Sequence, residues 1–149
     1  MSKCVFIAAD CPLPEVRPLQ DYPRHFNVDT GVIYDSGADD DYCLLQFNEV
    51  DIYCKKKYGV SLELDIYTEG RAKQIIDYIK AALLHTDSME LWNVYLIGYW
   101  EFDDRPYIHK RTVRTCELTV NDIKEIHEAE NWNNKDKNRP SFYCIEIVR

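Results

Sequence analysis

Glycine is scarce in this chain, with five among 149 residues. That scarcity first excludes a nucleotide cradle. Phosphate loops need glycines clustered so that backbone N–H groups can close on the ligand, and neither a Gly-x-x-x-x-Gly-Lys run nor a Gly-x-Ser-x-Gly elbow occurs. The six cysteines, at 4, 11, 43, 54, 116 and 144, contain no Cys-x-x-Cys pair. His25, His85, His109 and His127 are too far apart in sequence to form a local ligand pair, so no zinc motif is present. His127-Glu128 does not extend to His-Glu-x-x-His, because Asn131 stands where the second histidine is required. Long apolar runs are missing as well. The stretch from Met1 to Ala9 is too short for a signal core or a membrane span and gives way to Asp10 and prolines, which predicts neither a secretory signal nor a membrane segment.

A more local absence concerns basic residues. From Phe26 to Cys54 there is no lysine or arginine, while Asp29, Asp35, Asp39, Asp40, Asp41, Glu49 and Asp51 all fall there. Tyr34, Tyr42, Phe47 and Tyr53 are interleaved with these acids. The formal net charge of −8 argues against general nucleic-acid binding, because phosphates would be repelled, and suits steered association with a basic protein. The same acids also fit a solvated strand edge whose charges discourage aggregation.

The densest acids, Asp35 to Asp41, do not form a calcium loop. Counted from Asp35 the twelfth residue is Gln46, and from Asp39 it is Val50, where an EF-hand needs a bidentate glutamate. No metal and no cofactor are expected. Adjacent acids in turn-like sequence are solvated and stay near their reference pKa, which makes them poor general acids. No catalytic residue is assigned and the chain is read as a non-enzyme. The competing reading is a small enzyme or ligand-binding protein, with a pocket between sheet and helix and Cys54 or a histidine as its polar centre. Lys55, Lys56 and Lys57 could lower a thiol pKa at position 54. Cys4, Cys43, Cys116 and Cys144 lie in apolar or strand-like stretches and are read as reduced core thiols of a cytoplasmic protein, with Cys11 and Cys54 the exposed ones.

What the chain does contain is enough apolar residue, 46% against 30% charged, for one globular domain. Residues 3 to 8 read as a buried strand. Four prolines from Pro12 to Pro23 predict an extended surface loop. Residues 26 to 34 read as two short strands turned at Asp29-Thr30-Gly31, with strands again at 42–47 and 50–54. Val60 to Tyr67 alternates cleanly, which predicts a strand with one face in water. Thr68 is placed to cap a helix whose stripe is Ala72, Ile75, Ile76, Ile79, Ala82 and Leu83. Leu91 to Trp100 reads as a central strand and Tyr107 to Leu118 as its hairpin partner, carrying Lys110, Arg111 and Arg114 beyond Arg105. Thr119 with Asp122 resembles a capping box for a second helix. Ser141 to Val148 closes the chain as a strand with Phe142 and Cys144 on one face and Tyr143, Ile145 and Ile147 on the other. This order predicts a single α+β domain over residues 1–149, a mostly antiparallel sheet with two helices packed on it.

In length, acidity, cysteine usage and lack of a catalytic motif, the whole chain resembles the small immunity proteins of bacterial toxin–immunity systems. The resemblance implies a cytoplasmic protein that binds a cognate toxin, often a nuclease, and occludes its active site. The expected partner is therefore a basic protein, with no nucleic acid and no membrane. The surface expected to bind it comprises Tyr34, Asp35, Asp39, Asp40, Asp41, Tyr42, Glu49, Asp51 and Trp100, the acids steering and the aromatic residues anchoring.

Overall fold

The computed structural model describes residues 3–18, 25–34, 42–64, 66–96, 105–130 and 139–149; of 25, 26 and 32–34 it describes the backbone. Strands β1 (Lys3–Ala9), β4 (Leu44–Gln46), β5 (Tyr58–Leu62), β6 (Ser88–Tyr95), β7 (Tyr107–Arg114) and β8 (Ser141–Val148) form one sheet in the order β4-β5-β1-β6-β8-β7. Strands β2 (His25–Asn27) and β3 (Val32–Tyr34) pair with each other as a separate hairpin. All pairings are antiparallel except β7 with β8. With its two longer helices this is the expected α+β architecture.

One face of the sheet takes Val5, Ile7, Val60, Leu62, Met89, Leu91, Ile145 and Ile147 beneath helices α2 (Glu69–Ala82) and α3 (Val120–Glu128). Helix α2 starts where its sequence allows: the Thr68 hydroxyl accepts the Arg71 N–H at 3.1 Å. Its stripe of Ala72, Ile75, Ile76 and Ile79 is buried, each isoleucine contributing about 1.5–3 kcal/mol of transfer free energy. Helix α3 carries the expected capping box, with Thr119 N–H donating to Asp122 Oδ2 at 2.8 Å.

The opposite face is aromatic. Phe6 stacks on Phe47 at 4.5 Å and lies 6.3 Å from Trp92, and Tyr53 packs 5.8 Å from Phe142. Here the structure departs from the sequence reading. Residues Val50–Tyr53 form one helical turn, α1, and not a strand. A turn places Val50 and Tyr53, three apart, on the same side over Phe6 and Phe47, whereas a strand would separate them.

Strand β5 stops at Leu62 and is buried on both faces from Gly59 to Leu62, because Val60 and Leu62 join the helix-covered core while Gly59 lies beneath Val50 of α1 on the other side; the expected water-facing strand to Tyr67 is not formed. The expected hairpin between the sixth and seventh strands is also absent. Strand β8, apolar on both faces, inserts between them: β6 pairs with it antiparallel and β7 pairs with it in parallel at the edge. A strand bearing His109, Lys110, Arg111 and Arg114 is tolerated at an edge and would not be inside.

Candidate functional site

The acidic stretch begins in the β2–β3 hairpin. The Asn27 carboxamide accepts the Asp29 and Thr30 N–H groups at 3.0 and 3.2 Å, and Gly31 closes the turn at φ 69°, a backbone region that favours glycine. Asp29 is left exposed. Tyr34 ends β3 opposite His25. Asp35, Asp39, Asp40, Asp41 and Trp100 lie outside the described residues.

The chain returns at Tyr42, which is half-buried against the core under α2; burial and the nearby Asp77 carboxylate push its hydroxyl pKa up. Strand β4 follows, and its outer edge is partly closed. Val16 and Leu44 exchange backbone hydrogen bonds at 2.9 and 2.8 Å, and the Glu15 carboxylate accepts the Gln46 N–H at 2.9 Å. Glu49 then stands at the N-cap position of α1 without a side-chain capping bond, and Asp51 sits in its first turn. Both are exposed, and neither makes an ion pair with a described residue. Beside them the Tyr53 hydroxyl donates to the Tyr95 carbonyl at 2.7 Å and fixes α1 against the sheet end.

The structure therefore brings Glu49 and Asp51 together on one turn and places Tyr42 in a packing role on the helix-covered face. The basic residues later in the chain are treated differently. Lys110 Nζ lies 3.0 Å from Glu90 and 3.5 Å from Glu146, and Arg111 lies 2.6 Å from Asp122 and 3.3 Å from Glu125. The expected concentration of positive charge on β7 is thus largely matched by its neighbours. Lys56, within the triplet ending the acidic stretch, turns to Asp10 at 3.2 Å and the Ser88 hydroxyl at 2.8 Å.

Glu90 escaped the sequence reading, although an acid within an otherwise apolar strand was the available signal. It is buried, and its carboxylate accepts from the Trp92 indole at 2.9 Å and from Lys110. Burial alone would raise its pKa, but these two donors and the Lys110 charge outweigh burial and hold it below the usual carboxylate range. The thiols nearby behave oppositely. Burial pushes the Cys54 thiol to about 12 despite Lys56, which speaks against the lysine activation that the competing reading would use, and the thiol stays protonated at neutral pH. Cys4 is likewise pushed to about 12 and Cys144 is raised, both by burial first. None of the six cysteines is in a disulfide; of the four expected in the core only Cys144 is buried, Cys4 and Cys43 are half-buried and Cys116 is exposed on a 3-10 turn at Thr115–Glu117, while Cys11 and Cys54, expected to be exposed, are half-buried.

A groove of about 280 Å³ lies between α3 and strands β7 and β8, lined by His109, Arg111, Glu125, Ile126 and Tyr143 among others. The His109 ring stacks on Tyr143 at 5.0 Å, and its Nε2 is 3.2 Å from the Ser141 hydroxyl. It offers the sheet-and-helix pocket that an alternative ligand-binding role would use. No helix among the described residues is long and apolar enough to cross a membrane, and no three of their His, Cys, Asp and Glu side chains are grouped so as to hold a metal ion. In comparisons with known proteins, no family model, no curated protein and no solved structure matches this chain.

Proposed function

We propose that this chain is a non-enzymatic, cytoplasmic protein-binding domain of the immunity type, which recognises a basic protein toxin through its acidic stretch and occludes it. The observation that carries this reading is an asymmetry of charge satisfaction. Lys110 and Arg111 are consumed by acids of the same domain, whereas Glu49 and Asp51 are exposed without a described counter-ion. Exposed and unmatched carboxylates accelerate association with a basic surface and add a salt-dependent term to its rate. The α1 turn supports the role mechanically, since Val50 and Tyr53 anchor it to the aromatic face and so hold Glu49 and Asp51 on a rigid platform.

The test begins with the product of the adjacent reading frame, co-purified with this chain as the candidate partner. Association is then followed by stopped flow over a range of salt for the unaltered chain and for a variant with Asp39, Asp40, Asp41 and Asp51 changed to Asn and Glu49 to Gln. Slower association and a shallower salt dependence in the variant are expected. Equal rates at every salt concentration would remove the acidic stretch from the interface.

A further inference from the structure

The central sheet has two edge strands, β4 and β7, and the two edges are treated differently. At β4 the outward N–H groups are taken: Leu44 exchanges backbone hydrogen bonds with Val16, and the Gln46 N–H donates to the Glu15 carboxylate at 2.9 Å. At β7 the pairing with β8 runs without a bulge from Tyr107 with Ser141 to Arg114 with Val148. The Tyr107 N–H donates to the Pro140 carbonyl at 2.9 Å, which fixes the phase of this ladder. In a parallel pair both backbone groups of one residue point to one side and those of the next residue to the other. Tyr107, His109, Arg111 and Val113 therefore bond to β8. The N–H and C=O groups of Ile108, Lys110, Thr112 and Arg114 point outward, where no described strand pairs with them.

An edge of this length is a template for another strand, and proteins blunt such edges with proline, bulges, short length or charge. Strand β7 has eight residues and contains neither proline nor glycine, so charge is the device that remains. Lys110 and Arg111 are turned to acids of this domain. Arg105, ahead of the strand, and Arg114, at its end, are both exposed and form no ion pair with a described residue. The two ends of the open edge thus carry unmatched positive charge, and between them Ile108 presents an exposed apolar side chain.

We infer that the β7 edge receives an extended acidic segment of another protein as an added strand. Main-chain hydrogen bonds to Ile108, Lys110, Thr112 and Arg114 hold the segment, and its side chains set the specificity. Acids near its two ends meet Arg105 and Arg114, and an apolar residue between them lies beside Ile108. The charges that oppose a second copy of this chain, Lys110 across from Lys110 or Arg111 across from Arg111, favour an acidic strand in the same place, because opposite charges across a ladder attract. This segment is opposite in charge to the toxin proposed above. The edge is therefore a second binding surface and does not rest on that reading.

The test uses the full chain and a fluorescent peptide, Glu-Thr-Val-Thr-Val-Thr-Val-Glu with blocked ends, followed by anisotropy. One control peptide has both Glu replaced by Lys, and a second is N-methylated at every Thr and Val so that its main-chain donors are gone. The acidic peptide is expected to bind saturably and each control at least about tenfold more weakly, the factor that about 1.4 kcal/mol produces. Thr112→Pro removes an outward donor without breaking the ladder to β8 and should weaken the acidic peptide at least about tenfold. Arg105→Gln with Arg114→Gln should abolish the preference for the acidic peptide over the Lys peptide. Amide hydrogen exchange in the unaltered protein needs no variant: the Ile108, Lys110 and Thr112 amides should slow on saturation, whereas those of Tyr107, His109 and Arg111, already bonded to β8, should change little. Absence of saturable binding, equal binding of either control peptide, or slowing confined to amides outside β7 would each overturn the assignment. A dimer of the unaltered chain that protects the same three amides would give the edge to a second copy and overturn it as well. None of these outcomes depends on the acidic stretch or on the toxin.

Discussion

Lys110 on β7 reaches over the intervening strand β8 to place its ammonium 3.0 Å from the Glu90 carboxylate on β6. Three strands are thereby tied at one point on the aromatic face, with the Trp92 indole as a further donor to the carboxylate. Removing the lysine alone leaves a buried carboxylate with one donor fewer. Lys110→Met is expected to cost about 1–3 kcal/mol, the usual penalty for stripping a partner from a buried charged group, read as a lower urea midpoint at unchanged slope. Glu90→Gln combined with Lys110→Met should cost less than the two single changes added together, by about 1 kcal/mol of coupling. Strict additivity would show that the two groups do not interact energetically.

The same pair sets an acid limb. Glu90 has a folded pKa below its unfolded value, so its contribution is complete above the ordinary carboxylate range and is lost as pH falls through the folded value. Asp122 acts in the same direction: burial opposes its ionisation, but the Thr119 N–H and the Arg111 guanidinium outweigh burial and hold its pKa down. Acid unfolding monitored by circular dichroism should begin at higher pH in Lys110→Met than in the unaltered chain. Coincident acid transitions would assign the limb to other carboxylates.

Gly59 carries a steric prediction. A Cβ there would meet Val50 Cγ2 at 2.3 Å and the carbonyl oxygens of Phe47 and Ile7 at 3.2 and 3.3 Å. The α1 turn can lie flat on β5 only because that side chain is missing. Gly59→Ala is expected to destabilise by about 1–3 kcal/mol through overpacking. Adding Val50→Ala should recover part of this loss, since it removes the closest contact, although both carbonyls remain. A double variant as unstable as the sum of the two singles would place the strain in the backbone and not at Val50.

These cases show what the sequence displays and what it hides. Thr68, the Thr119–Asp122 pair and the alternation of Phe142, Cys144, Ile145 and Ile147 are local signals, and each reads through to the structure because capping and pleat depend on residues a few positions away. Val50–Tyr53 is too short for its period to separate helix from strand, and its conformation is decided by Gly59 and Phe6 elsewhere in the chain. The insertion of β8 between β6 and β7 is a choice among nonlocal pairings, so the sequence proximity of β6 and β7 misleads. The acidic stretch was legible as a charge pattern, whereas the unmatched state of Glu49 and Asp51 depends on where Lys110 and Arg111 find their partners.

The exposed edge of β7 raises the question of self-association, since Ile108 is 56% exposed there. Antiparallel two-fold pairing through most of this strand sets either Lys110 opposite Lys110 or Arg111 opposite Arg111, and like charges directly across a ladder are unfavourable. The unaltered chain is expected to sediment as a monomer. Arg111→Thr with Arg114→Thr removes the opposed arginines from one of these registers and should give a concentration-dependent dimer, whereas Arg111→Lys should not. A double variant that remains monomeric at all concentrations would show that these charges are not what protects the edge.

His127 contributes a limb of opposite origin, nearer neutrality. It is packed between the start of β1, which brings Lys3, and Tyr67, whose ring lies 6.4 Å away, with Glu128 adjacent on its own helix. Burial disfavours the imidazolium, Lys3 repels it and Glu128 offsets this only in part, so the folded pKa lies below the unfolded value near 6.5. Below that value the unfolded chain binds a proton that the folded chain resists. The sign is therefore a loss of stability as pH falls from about 7 through the unfolded pKa, ending once pH passes below the folded one. His127→Asn should flatten unfolding free energy against pH in this interval while leaving the lower carboxylate limb in place. Lys3→Met should shrink the slope without abolishing it, because burial remains. An unchanged slope in His127→Asn would transfer the effect to another histidine.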